Sequence, residues 1–264
     1  MNLLLTRRSL GAIREAAPTR HMEPATTIPS DDEPWWQTVE EFDRRLAALV
    51  RVLDWSGAER LAAEYYEKAE NAYEAALYAQ SRATSLGALG RDAESLEASE
   101  LAERLAPLEP HFKIQLARRL IEESAQPQAG LSKLRDAEPL LEPSQRGAWL
   151  GEMGLGLLAL GRDAEAVECF RELTGPERLT RMREWDYIGL VDFRLVTRLI
   201  KRGLVPDLCV AYLEAAEAVA AGHNADHVEG IRNLIELARA PRRGEGPVSG
   251  LRLPDQRPPL YYPS

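Results

Sequence analysis

The string Leu89-Gly90-Arg91-Asp92-Ala93-Glu94 occurs a second time, unchanged, as Leu160-Gly161-Arg162-Asp163-Ala164-Glu165, 71 residues further on. Self-similarity at a fixed period marks chains built from stacked supersecondary units, and it limits the possible folds more than composition does. A further turn glycine, Gly57, stands 33 residues before Gly90. Ala, Leu, Glu and Arg dominate and aromatics make up only 6% of the chain, which favours helices packed closely through small side chains. The expectation is an all-α chain of repeated helical hairpins.

The spacing and the residues between the glycines resemble the tetratricopeptide repeat (TPR) family, whose period is 34 residues, about half the distance between the two strings. In a repeat over 43–75, Gly57 closes the hairpin and Ala62, Tyr66 and Ala69 take the small, aromatic and small positions of the second helix. In the repeat over 76–109, Ala83, Leu86, Gly90, Ser95, Ala102 and Pro107 fit, with Ser99 where an aromatic is expected. The repeat over 147–180 fits at Gly154, Leu157, Gly161, Ala166, Phe170 and Leu173. The copy over 110–143 is degenerate, with Ala117 and Leu120 in its first helix and Pro127-Gln128-Ala129 opening its second. A fifth hairpin over 181–221 keeps the order helix, Gly203, helix, but has Leu208 where Ala is usual. The resemblance implies an α-α superhelix, a TPR-like solenoid of about five hairpins. The amphipathic segment 224–240, with Val228, Ile231, Leu234, Ile235 and Ala238 on one stripe, caps its C-terminal end.

The repeat domain is expected over 34–240, with its first helix starting near Glu33 to Trp36, where Val39, Phe42, Leu46, Leu49, Val50 and Leu53 begin to recur at helical spacing. Residues 1–33 read as a disordered extension and 241–264 as a disordered Pro-rich tail. Thr6-Arg7-Arg8-Ser9-Leu10 resembles part of a twin-arginine signal, but Arg14 and Glu15 interrupt the apolar stretch that export requires. A short mitochondrial presequence, or an upstream start ahead of Met22, are the other readings of this end. No run of about 18 apolar residues occurs, so no membrane span is expected. With two cysteines, Cys169 and Cys209, inside helical patterns, the expected compartment is the reducing cytoplasm and both thiols are expected to be small buried hydrophobes; a Cys169–Cys209 disulfide stays open.

A net charge of -9 argues against a phosphate-binding face, so nucleic acid is not an expected partner. No nucleophile elbow is present, and Gly151, Gly154 and Gly156 have the wrong spacing for a phosphate loop. His223 and His227 have the i, i+4 spacing of zinc ligands, with Asp226 or Glu229 as further oxygen donors, but Asn224 stands where a zincin carries its catalytic Glu. Asn224 reads instead as a helix N-cap. No enzyme activity, cofactor or metal is therefore expected.

What remains is partner binding. In the family resembled, first helices line a concave groove that holds a peptide or a helix. Carried onto this register, the groove positions are Arg51, Gln80, Thr84, Gln115, Arg118, Glu152, Arg194 and Thr197. The two-carboxylate clamp of some relatives is not expected, because Ala47, Gln80, His111, Gln115 and Glu152 occupy its places and only Arg51 and Arg118 are basic. The expected function is a protein-interaction adaptor. The alternative is self-association through the solenoid ends, as a homodimer using Trp35-Trp36; Pro258-Pro259-Leu260-Tyr261 also has the wording of a WW-domain ligand.

Overall fold

A computed structural model describes residues 22–26, 35–175, 193–221 and 225–240, with side chains of the last stretch described from residue 228. The described residues are all-helical. Eleven α-helices follow one another: α1 (Trp35–Arg51), α2 (Trp55–Lys68), α3 (Ala72–Ala88), α4 (Asp92–Leu105), α5 (Pro110–Glu122), α6 (Pro127–Ala137), α7 (Arg146–Ala159), α8 (Asp163–Leu173), α9 (Phe193–Arg202), α10 (Pro206–Ala220) and α11 (Ala225–Arg239). A 3-10 turn, Glu138–Leu140, follows α6. Among these residues no helix is long and apolar enough to cross a membrane.

Local chemistry sets the helix starts. Asn71 caps α3 by accepting the Glu74 N–H at 2.8 Å, while the Glu74 carboxylate accepts the Glu70 N–H at 2.6 Å and the Tyr78 hydroxyl at 2.8 Å. Proline opens α5, α6 and α10, where its missing N–H leaves no intrahelical bond unmade. The start of α6 at Pro127 matches the expectation for the degenerate copy.

Four helix ends, those of α1, α3, α7 and α9, follow one rule. At Gly90, Gly161 and Gly203 the backbone is left-handed, with φ of 72°, 72° and 68°. In each case the next amide reaches back five residues: Arg91 to the Leu86 carbonyl, Arg162 to Leu157 and Leu204 to Leu199, at 2.9, 2.9 and 3.0 Å. The first hairpin corrects the sequence reading. Gly57 lies inside the first turn of α2, where its N–H is bonded by the Asp54 cap at 2.8 Å. The left-handed residue there is Leu53, φ 61°, and Asp54 reaches back to Leu49 at 3.0 Å. A leucine in that conformation carries no sequence signal, whereas a glycine four residues later does.

Each helix from α1 to α8 packs against the next, and α5, α7 and α9 also pack in turn with one helix skipped between them. Close approach has identifiable causes. A Cβ on Gly154 of α7 would lie 2.7 Å from Leu195 Cδ2 of α9, so the absent side chain is what lets the two helices meet. The glycines once considered for a phosphate loop are thus buried inside α7. Trp149, also in α7, is buried and donates its indole N–H to the Leu134 carbonyl at 2.7 Å, in line with a packing role.

The apolar interior is not continuous. One cluster joins α1 to the start of α5 around Phe42, Tyr65, Tyr66, Tyr78 and Phe112; the other runs from Ile114 to Ile235. Between them lie a small apolar group of Ala83, Leu86 and Ala98 and a set of buried polar side chains. Both cysteines are free thiols, Cys209 buried and Cys169 half-buried. Within the stretch read as an N-terminal extension, Met22 and Ala25 pack against the first cluster, and the Ala25 N–H donates to the Leu105 carbonyl at 2.7 Å.

Candidate functional site

Two polar constellations stand out, one interior and one on the side shared by α5, α7 and α9. The interior one is centred on Arg119 of α5, a buried guanidinium. Its Nε donates to the Ser99 hydroxyl at 2.6 Å, Nη1 to both Glu123 oxygens at 2.9 and 3.1 Å, and Nη2 to the Thr84 hydroxyl at 3.3 Å. Ser95 donates to the Ala83 carbonyl at 2.9 Å, and Ser99 touches Gln80 Oε1 at 3.5 Å. Gly87 makes room, since a Cβ there would come within 3.0 Å of Arg119 Nη1. Burial pulls the Arg119 guanidinium below its usual range, opposed by the neighbouring Glu123. This arrangement accounts for Ser99, the position where the repeat pattern expects an aromatic: the volume is taken by an arginine from the following hairpin.

The second constellation joins three first helices. Arg194 of α9 donates to Glu122 of α5 at 2.7 Å and to Glu152 of α7 at 2.5 Å. Arg118 lies 3.6 Å from Glu122 within α5, and Arg198 of α9 donates to the same carboxylate at 3.2 Å. Three guanidinium groups thus surround two carboxylates. Arg198 has the most open side chain of the five, 41% exposed. Thr197, one residue away, is 3% exposed and its hydroxyl has no hydrogen-bond partner among the described residues.

The expected groove residues divide accordingly. Arg118, Glu152 and Arg194 come together, and Thr197 lies beside them on α9. Gln80 and Thr84 instead serve the Arg119 cluster. Gln115 is half-buried and Arg51, the last residue of α1, is exposed and apart from both groups. Three assignments need correction: Gln80, Glu152 and Thr197 are 7%, 4% and 3% exposed, so they cannot be open gripping positions. Gln80 accepts from Ser99 of α4 and Glu152 from Arg194 of α9, so their polarity is used between helices. Glu122, Arg198 and Arg119 were not anticipated, although Arg118 and Glu122 have the i, i+4 spacing of a helical ion pair.

Trp35, proposed for end-to-end association, is 4% exposed and stacks edge-on against Trp36 and Tyr73, with ring centroids 5.3 and 6.0 Å away. Its side chain belongs to the apolar cluster that joins α1 to α3. Glu103 is a third ionic centre, accepting from Lys113 and Lys133 at 3.0 and 2.9 Å and so tying α4 to α5 and α6. Those two lysines hold its carboxyl below the usual range against the opposing effect of burial. Among the described residues no three His, Cys, Asp or Glu side chains gather as metal ligands; His223 and the His227 side chain lie outside them. The proposed fifth hairpin lies outside them from 181 to 192, as do Trp185, the 241–264 tail and nearly all of the N-terminal extension.

No family model, no curated protein and no solved structure matches this chain.

Proposed function

We propose that the chain is a TPR-like α-α superhelix that binds a peptide or helix of another protein along the side shared by α5, α7 and α9. The observation that supports this reading is the Arg194 bridge, in which one side chain of α9 pairs with Glu122 of α5 and Glu152 of α7. It holds the first helices of three successive hairpins side by side, which is what a continuous binding face requires. In this proposal Arg194, Glu122 and Glu152 build the face, while Arg198, Arg118 and Gln115 meet the partner. The excess of guanidinium over carboxylate makes an acidic or hydrogen-bond-accepting segment the suited partner.

The test is affinity capture followed by charge reversal on the outer residues alone. A protein retained by the wild-type chain should be lost on Arg198→Glu with Gln115→Glu, with the melting temperature unchanged within a few degrees. Retention by the folded variant removes this face from consideration. Arg194 is unsuitable as the probe, because its removal leaves Glu152 buried beside an empty space.

A further inference from the structure

Helix α4 ends at Leu105, and a helix end leaves its last carbonyls without intrahelical partners. One of them is satisfied from an unusual distance in sequence: the Ala25 N–H donates to the Leu105 carbonyl at 2.7 Å, across some eighty residues of chain. Three residues earlier, Met22 packs half-buried against the same apolar cluster, while Glu23 and Pro24 between them are exposed. The segment 22–26 is neither helix nor strand, and Pro24 holds Glu23 out of the helical region. It therefore lies on the domain as an extended ligand would, with two side chains down, two up and one main-chain amide capping a helix.

We propose that the surface beside the α4 C-terminus is a docking site for an extended segment of this pattern, closed in cis by residues 22–26. The recognised features are a long, unbranched apolar side chain, a small residue three positions later, and a free amide on that small residue. The partial negative charge at the end of α4 favours the amide donor, and methionine adapts to an irregular apolar surface better than a branched side chain does. A single main-chain hydrogen bond and two half-buried side chains form a closure weak enough to be displaced by a competing segment. This site is separate from the α5, α7 and α9 face and does not depend on it.

The probe is a fluorescein-labelled peptide of residues 19–29, measured by anisotropy against the full-length chain and against the full-length Met22→Asp, Ala25→Pro variant, which loses both the apolar anchor and the amide. The peptide should bind the variant at least tenfold more tightly than the wild type, and a peptide carrying the same two substitutions should bind neither. Equal binding to both chains, or binding to neither, overturns the proposal. In the unmodified chain, exchange of the Ala25 amide should be at least tenfold slower than that of Glu23 and should accelerate when excess unlabelled peptide is added. An Ala25 amide that exchanges as fast as its neighbours overturns it independently of how the variant folds.

Discussion

The Nε of Arg119 donates to the Ser99 hydroxyl at 2.6 Å, joining α5 to α4 through a hydrogen bond buried between two apolar clusters. Removing the guanidinium leaves the Ser99 hydroxyl without its buried partner and Glu123 half-buried without its cation, and losing hydrogen bonds to a charged group costs about 1.5–3 kcal/mol. Arg119→Ala should lower stability by an amount of that order in urea unfolding. Arg119→Lys should recover little of it, because an ammonium cannot reach Ser99, Glu123 and Thr84 from one plane. A loss under about 1 kcal/mol for Arg119→Ala would mean that the cluster contributes little.

The four matching helix ends permit substitutions of opposite sign. A left-handed backbone costs an L-residue about 1–2 kcal/mol. Nothing lies within 4 Å of where a Cβ would stand at Gly90 or Gly161, so Gly90→Ala and Gly161→Ala should each lose about that much and by equal amounts. Leu53→Gly, at φ 61°, should gain about 0.5–1 kcal/mol after allowing for the greater freedom of glycine in the unfolded chain. Thermal or urea melts of the three variants decide the matter.

At Gly154 the argument concerns space. Gly154→Ala drives a methyl group into the fully buried Leu195 and should cost about 1–3 kcal/mol despite the better helix propensity of alanine. Combined with Leu195→Ala, the two losses should fall short of their sum, and a double-mutant cycle measures the difference. Strict additivity would show that α7 and α9 do not meet at this point in solution.

Burial raises the Asp43 carboxyl from 3.8 to about 6. A carboxyl whose folded value lies above its unfolded one penalises the native state fully above pH 6 and not at all below about pH 3.8. Asp43→Asn should therefore stabilise the protein at pH 7.5 by about 1–3 kcal/mol, and the gain should shrink through that window until the two proteins coincide near pH 4. A gain independent of pH would point to packing instead of ionisation.

Burial likewise raises both thiols, Cys169 to about 11 and Cys209 to about 12. Since the thiolate is the reactive form, the native protein at pH 8 should react with a disulfide reagent more slowly than the urea-unfolded chain, on the order of a hundredfold for Cys169. Two thiols per chain should titrate after unfolding. A fast native phase would place one of them in a more open setting than the structure gives it.

Much of the helical organisation could be read from residues: the apolar stripe that begins at Trp35, the proline start at Pro127, and the glycine stops at Gly90, Gly161 and Gly203 are all local signals. Leu53 was missed because left-handed geometry in a leucine is imposed by the surrounding turn and not encoded in the side chain. The binding face was harder for a related reason. Gln80, Glu152 and Thr197 look like solvated polar residues in a helical pattern, and only the packing of neighbouring helices decides that they are covered. Ser99 gave a partial warning. Its departure from the pattern made sense only together with Arg119, twenty residues later and in another hairpin.

The duplicated connector has a consequence for how such a chain can change in length. Gly90 and Gly161 share one φ, and their flanking Arg91–Glu94 and Arg162–Glu165 pairs close at 2.7 Å in both copies. Joining Leu89 directly to Gly161 regenerates the same hexapeptide and runs α3 into α8, a first helix into a second one, with no foreign junction. A slip between the two copies in the gene would thus add or delete whole hairpins in frame with the architecture, so that length is a trait this chain can vary without reinventing a turn.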